Sequence, residues 1–130
     1  MDQSIKLLLI DDDEPVLDNL SYFLRYKKYN VTTASDGLEG LKLFKNDQQG
    51  FDLVITDIVM PKISGIALIS IIKKKFPDTP VIAITGWGEY PEALATESQA
   101  DKVFSKPFEL SELDDAINEL IFSKKQKLQD

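Results

Sequence analysis

The residues with chemistry to offer fall in three distant places: the acidic run Asp11-Asp12-Asp13, an isolated Asp57 closing Leu53-Val54-Ile55-Thr56-Asp57, and Lys106 within Val103-Phe104-Ser105-Lys106-Pro107-Phe108. Each follows a short apolar run of the kind that forms a buried strand. If those strands lie side by side and parallel, their carboxyl ends share one edge and the carboxylates meet the lysine there. Like charges a few ångströms apart in a half-dry crevice repel strongly. Positive charge must join them, and a divalent metal together with Lys106 supplies it.

The elements that would position these groups alternate along the chain. Ile5 to Ile10 reads as a strand that the acidic run ends, and Pro15 suits the first turn of a helix carrying Val16, Leu17, Leu20, Phe23 and Leu24 at helical spacing. Asn30 to Ala34 is rich in β-branched residues, and Asp36-Gly37 turns the chain into a helix with Leu38, Leu41 and Phe44 on one face, closed by Gly50. Phe51 to Thr56 is the third strand, with Asp57 at its end. The loop Met60 to Gly65 then leads to a helix bearing Ile66, Ile69, Ile72 and Phe76, and Pro77 and Pro80 bracket a tight connection. Val81 to Ile84 is the fourth strand, followed by the loop Thr85-Gly86-Trp87-Gly88 and a weakly apolar helix near Glu92 to Ser98. Lys102 to Ser105 is a short fifth strand, and the last helix buries Leu110, Leu113, Ile117, Leu120 and Ile121. Strands alternating with helices imply βαβ units, a parallel sheet and right-handed crossovers. Ligands of such open sheets bind beyond the carboxyl ends of the strands, where every polar residue named above falls.

Composition narrows the function. A chain of 130 residues with 43% hydrophobic and 28% charged residues fits one globular domain. No segment approaches the ~20 apolar residues of a membrane helix. The start, Met1-Asp2-Gln3-Ser4, has no secretory pattern, and with no cysteine the expectation is a cytoplasmic protein. A formal charge of −7 argues against nucleic-acid binding by this chain, since neutralising phosphates needs clustered Lys and Arg. The short basic stretch Ser123 to Lys127 fits a solvated helix end, where lysines complement the helix dipole. The chain has no histidine, so any phosphohistidine would belong to a partner.

Taken together, Leu7-Leu8-Leu9-Ile10-Asp11-Asp12, Asp52 to Asp57 with Met60-Pro61 and Gly65, Ile84-Thr85, and Lys106-Pro107-Phe108 resemble the receiver domain of bacterial response regulators over Ile5 to Phe122. Each mark is weak alone, but their order and spacing are specific. The resemblance implies a flavodoxin-like (βα)5 fold, α/β and doubly wound, with a five-stranded parallel sheet in the order 2-1-3-4-5. It places the receiver domain at 1–123 and a basic tail at 124–130.

By position, the resemblance implies that Asp57 is the phosphoacceptor and that Asp11 and Asp12, with Asp57 and the backbone carbonyl of Val59, hold Mg²⁺, with Mn²⁺ as a substitute. Thr85 would hydrogen-bond the phosphoryl group and Lys106 would ion-pair with it, ahead of a cis Lys106-Pro107 bond. The donor would be a sensor histidine kinase or a histidine phosphotransfer domain, and the domain would catalyse only its own phosphorylation and dephosphorylation. Its output would pass to an unknown partner or fused domain, or through a phosphorylation-linked dimer. Nothing after Phe122 is long enough for an output domain, so the expectation is a stand-alone protein or a piece of a larger regulator.

The sequence departs from its relatives at Val103, where an aromatic residue is common, and at Gln99, where glycine is common. Strand alternation points the neighbouring Phe104 to the opposite face. Val59 and Trp87, two residues beyond Asp57 and Thr85, are apolar beside the path of an attacking water, which implies slow loss of the phosphoryl group.

Blander readings exist for each residue alone. Asp11 to Asp13 could cap the next helix, with Asp13 best placed to do so. Asp57 could be a turn residue, Lys106 a solvated lysine, Thr85 a strand exit and Trp87 a loop anchor. A rival class is a haloacid-dehalogenase-like phosphatase, with Asp11 as nucleophile and Thr85 and Lys106 binding phosphate. That family usually adds a late acidic pair at a strand end, whereas Asp114-Asp115 falls in a helical stripe. A flavin carrier would need a Ser/Thr/Gly-rich loop after the first strand, and a degenerate receiver used for binding alone would be expected to lack Asp57, Thr85 or Lys106.

Overall fold

The structure, a computed structural model, describes residues 4–86 and 99–129, with side chains to 126. In chain order the elements are β1 (Lys6–Ile10), α1 (Glu14–Tyr26), β2 (Asn30–Ala34), α2 (Gly37–Asn46), β3 (Leu53–Asp57), α3 (Gly65–Lys75), β4 (Val81–Thr85), β5 (Lys102–Ser105) and α4 (Leu110–Gln129). The helix expected near Glu92 to Ser98 lies outside the described residues. All five strands are parallel and their order is β2-β1-β3-β4-β5, as the resemblance implied.

Alternation along the strands sends successive side chains to opposite faces and so builds two cores. Leu7, Leu9, Leu53, Ile55, Ile82 and Ile84 face α1 and α4, meeting Leu17, Leu20, Leu24, Leu113 and Ile117. Leu8, Ile10, Val54, Val81 and Ala83 face α2 and α3, meeting Phe44, Leu68, Ile69 and Ile72. With both faces covered, β1, β3 and β4 are buried almost throughout, which explains why they read as continuous apolar runs.

Several boundaries differ from the sequence reading. Gly50 does not close α2: the helix stops at Asn46, and the Asp47 carboxylate turns the chain by accepting the backbone N–H groups of Gln49 and Gly50 at 3.0 and 2.9 Å. Gly50, with φ of 79°, serves the turn that follows. Phe51 precedes β3 rather than opening it, and its ring stacks on Phe44 with centroids 6.3 Å apart. Phe76 falls just past α3, because a residue before proline is steered out of the helical region, and it packs edge-on against Phe44 at 5.0 Å. Leu110 starts α4 but is exposed, and Phe108 packs against the core ahead of the helix. No helix among the described residues is long and apolar enough to cross a membrane.

Candidate functional site

Register brings the site together. Ile10 pairs with Thr56, Asp57 with Ile84 and Thr85 with Ser105, so β1, β3, β4 and β5 end at one level and the residues just beyond them share an edge. Asp11 extends β1 by donating its N–H to the Ala34 carbonyl at 3.1 Å, and Asp13 caps α1, its side chain accepting from the Val16 N–H. The bond to β2 thus holds Asp11 at the strand end, and the helix starts directly after it. Asp13 does the capping that the bland reading assigned to it.

Asp11 is only 1% exposed and Asp57 8%, while Asp12 points to solvent. One carboxylate oxygen from each of the three lies within 4.8 Å of the others. Asp11 Oδ1 accepts the Asp13 N–H at 2.9 Å, and Asp57 Oδ1 accepts the Ile58 N–H at 3.0 Å. Lys106 Nζ stands 3.6 Å from Asp11 Oδ2. Burial, followed by the charge of Asp11, pushes Asp57 up to about 6, against the opposing pull of Lys106 and the Ile58 amide. Burial also raises Asp11, opposed by the Asp13 amide and Lys106.

The donor set fits a hard divalent cation. Asp11 Oδ2 is buried yet accepts no hydrogen bond from the described residues, a state that costs free energy unless a positive charge faces it. Mg²⁺ takes oxygen ligands in an octahedron and keeps several waters, and exposed Asp12 leaves a path to solvent. Val59, two residues past Asp57, is 60% exposed, so its side chain is not committed to the core.

Thr85 ends β4 fully buried, its carbonyl accepting the Lys106 N–H at 2.9 Å, and the Lys106–Pro107 peptide bond is cis. Of the sequence-derived residues, Asp11, Asp12, Asp57, Thr85 and Lys106 therefore stand at one edge, while Trp87 lies outside the described residues. Val103 packs into the core on the α2 and α3 side and Phe104 into the other, its ring 5.3 Å from Phe108, so Phe104 does not stand in for the missing aromatic. Asp114, of the late acidic pair, accepts the Tyr29 hydroxyl at 2.5 Å on the side where β2 begins, away from this edge.

Gly65 has a structural role that the sequence alone does not reveal. A Cβ there would fall 2.1 Å from the Asp57 carbonyl oxygen and 2.6 Å from Ile58 Cα, so glycine is what lets α3 start directly against the strand end that carries Asp57. Its N–H donates to the Ile58 carbonyl at 2.8 Å. At Gln99 the backbone is left-handed, with φ of 65°, a conformation that favours glycine.

Comparison with known proteins agrees with this geometry. The model of the response regulator receiver domain matches residues 7–118. Transcriptional regulatory protein GlrR of Escherichia coli is 38% identical over 118 residues, which are 88% of this chain and 26% of that protein. The chain therefore spans about a quarter of that relative's length. A receiver domain protein from Clostridium thermocellum superposes with a TM-score of 0.86 at 38% identity, covering 93% of this chain and 97% of its own. Response regulator TrrA of Thermotoga maritima, solved in complex with Mg²⁺ and BeF, superposes at 0.80 with 34% identity, covering 88% and 97%. The match spans the strand ends that gather the acidic cluster and Lys106, and it gives no support to the phosphatase reading: this chain belongs to the response regulator receiver domains, the phosphoacceptor modules of two-component signalling.

Proposed function

We propose that Asp57 accepts a phosphoryl group from the phosphohistidine of a sensor histidine kinase or histidine phosphotransfer domain. The observation that carries this reading is the convergence of Asp11, Asp12 and Asp57 within 4.8 Å, faced by Lys106 across Asp11. An Asp57 carboxylate oxygen attacks phosphorus, the new O–P bond forms as the P–N bond breaks, and the partner's imidazole departs with the electron pair. Asp11, Asp12, Asp57 and the Val59 carbonyl would hold Mg²⁺, or Mn²⁺ in its place. When bound, the metal neutralises charge on the phosphoryl oxygens. Lys106 pairs with the transferred group and Thr85 donates to it. Asp57 lies in a mostly dry edge, where these fixed charges act more strongly than in water.

The same reading assigns 1–123 to the receiver domain and 124–130 to a basic extension, with chemistry limited to the domain's own phosphorylation and dephosphorylation. Its setting is cytoplasmic and away from the membrane. At a formal charge of −7 the domain itself leaves nucleic acid to an output partner or fused domain, and phosphorylation-linked dimerisation is one route to that output. Incubation with acetyl phosphate and Mg²⁺, followed by peptide mapping, tests the assignment. Label on Asp57, absent in Asp57→Asn, is the expected result. Label on Asp11, or phosphate-ester turnover that survives Asp57→Asn, would overturn it.

A further inference from the structure

Thr85 and Ser105 are the last residues of β4 and β5 and are direct partners across the two strands. They lie on the sheet face of Ala83 and Val103, the pair two residues earlier in each strand. Thr85 is fully buried, and its hydroxyl has two acceptors on β5: Ser105 Oγ at 3.3 Å and the Phe104 carbonyl oxygen at 3.5 Å. One proton shared between two acceptors leaves both contacts longer than the ~2.8 Å of an ordinary hydroxyl bond. The backbone beside them is held more firmly, through the Lys106 N–H on the Thr85 carbonyl at 2.9 Å. The strand ends are therefore fixed while the hydroxyl is weakly held.

We propose that Ser105 is a positioning residue whose hydroxyl keeps the Thr85 hydroxyl on β5 while Asp57 is unmodified, and yields it when a phosphoryl oxygen competes for the same proton. The inference rests on the reading of Thr85 as a phosphoryl ligand. A threonine hydroxyl has a single proton, so it cannot donate to Ser105 and to a phosphoryl oxygen together. A charged acceptor outcompetes a neutral one, so Ser105 sets a threshold for engagement without blocking it. Ser105 is itself exposed, and water takes up its hydroxyl once Thr85 has left. The pair thus couples the phosphorylation site to the end of β5, beside the Phe104 carbonyl that shares the same proton.

The test is titration with beryllofluoride and Mg²⁺, followed by amide NMR, for the parent, Ser105→Ala, Ser105→Thr and Thr85→Ala. Ser105→Ala removes no core contact, since the side chain is exposed at a strand end. It should bind beryllofluoride about threefold tighter, the worth of one weak neutral hydrogen bond. The free-protein signals of Thr85 and Gly86 should shift toward their bound positions. Ser105→Thr, which keeps a hydroxyl, should retain parental affinity and signals, and Thr85→Ala should bind more weakly. If Thr85→Ala weakens binding while Ser105→Ala matches the parent or falls below it, Ser105 has no positioning role. If Thr85→Ala binds as well as the parent, the assignment of Thr85 fails and this inference fails with it.

Discussion

Lys106 Nζ stands 3.6 Å from Asp11 Oδ2, a buried oxygen that accepts no hydrogen bond from the described residues. The contact is an ion pair at longer than hydrogen-bonding range, so the lysine balances the charge of Asp11 without satisfying the oxygen. That leaves the oxygen free for a cation and the ammonium free for an incoming anion. The arrangement fits a site that must admit both a metal and a phosphoryl group.

Asp12 is the exposed member of the acidic cluster, so the proposed part it plays in metal binding can be removed without disturbing the core. Asp12→Ala should lose Mg²⁺ affinity by a factor on the order of ten, about 1.4 kcal/mol, while circular dichroism and the urea midpoint stay near parental. A parental Mg²⁺ titration would remove Asp12 from the ligand set.

Asp57 makes the metal-free protein sensitive to pH. Its pKa rises from 3.8 to about 6 on folding, first through burial and then through the charge of Asp11. A carboxyl raised in this way favours the folded state while protonated, so its contribution is intact below about pH 4 and is lost as pH climbs through about 6. At 1.36 kcal/mol per unit the loss is about 3 kcal/mol. Asp57→Asn should therefore be more stable than the metal-free parent at neutral pH, with the difference shrinking toward pH 4. Urea unfolding across that range checks it. A constant difference would show that the carboxyl is not perturbed by folding.

Val59, two residues past Asp57, is 60% exposed and its side chain has no group to orient a water. The phosphorylated protein should hydrolyse slowly, and Val59→Asn should speed phosphate release severalfold by giving the attacking water a hydrogen-bonding partner. Release timed after removal of the phosphodonor decides the point. An equal or slower rate in the variant would clear Val59 of any influence.

Gln99 holds a left-handed backbone, with φ of 65°. Gln99→Gly should stabilise the fold by roughly 0.5–1 kcal/mol, because the relief of the left-handed conformation exceeds the added freedom of the unfolded chain. A lower urea midpoint in the variant would mean that the Gln99 side chain contributes more than its backbone costs.

Val103 packs into the core on the α2 and α3 side, at the position where the family resemblance led us to expect an aromatic residue. Saturation with beryllofluoride should therefore move amide signals on β5 and α4 less in the parent than in Val103→Tyr. Equal responses would show that a large side chain at 103 is not needed to transmit the change.

The sequence by itself determined the alternation of strands and helices, the two-faced burial of the sheet, and the grouping of Asp11, Asp57, Thr85 and Lys106 at strand ends. Apolar runs and helical spacing are local properties, and in a parallel sheet a strand's end fixes which edge its last residue occupies. Boundaries were less legible where a side chain competes with the backbone: Asp47 ends α2 ahead of Gly50, and Pro77 releases Phe76 from α3. Only tertiary structure decided that Lys106 faces Asp11, that Gly65 must lack a Cβ because α3 starts against Asp57, and that Ser105 meets the Thr85 hydroxyl. Each depends on register between segments distant in sequence, to within an ångström. Neither composition nor periodicity encodes distances of that kind; packing across the sheet sets them.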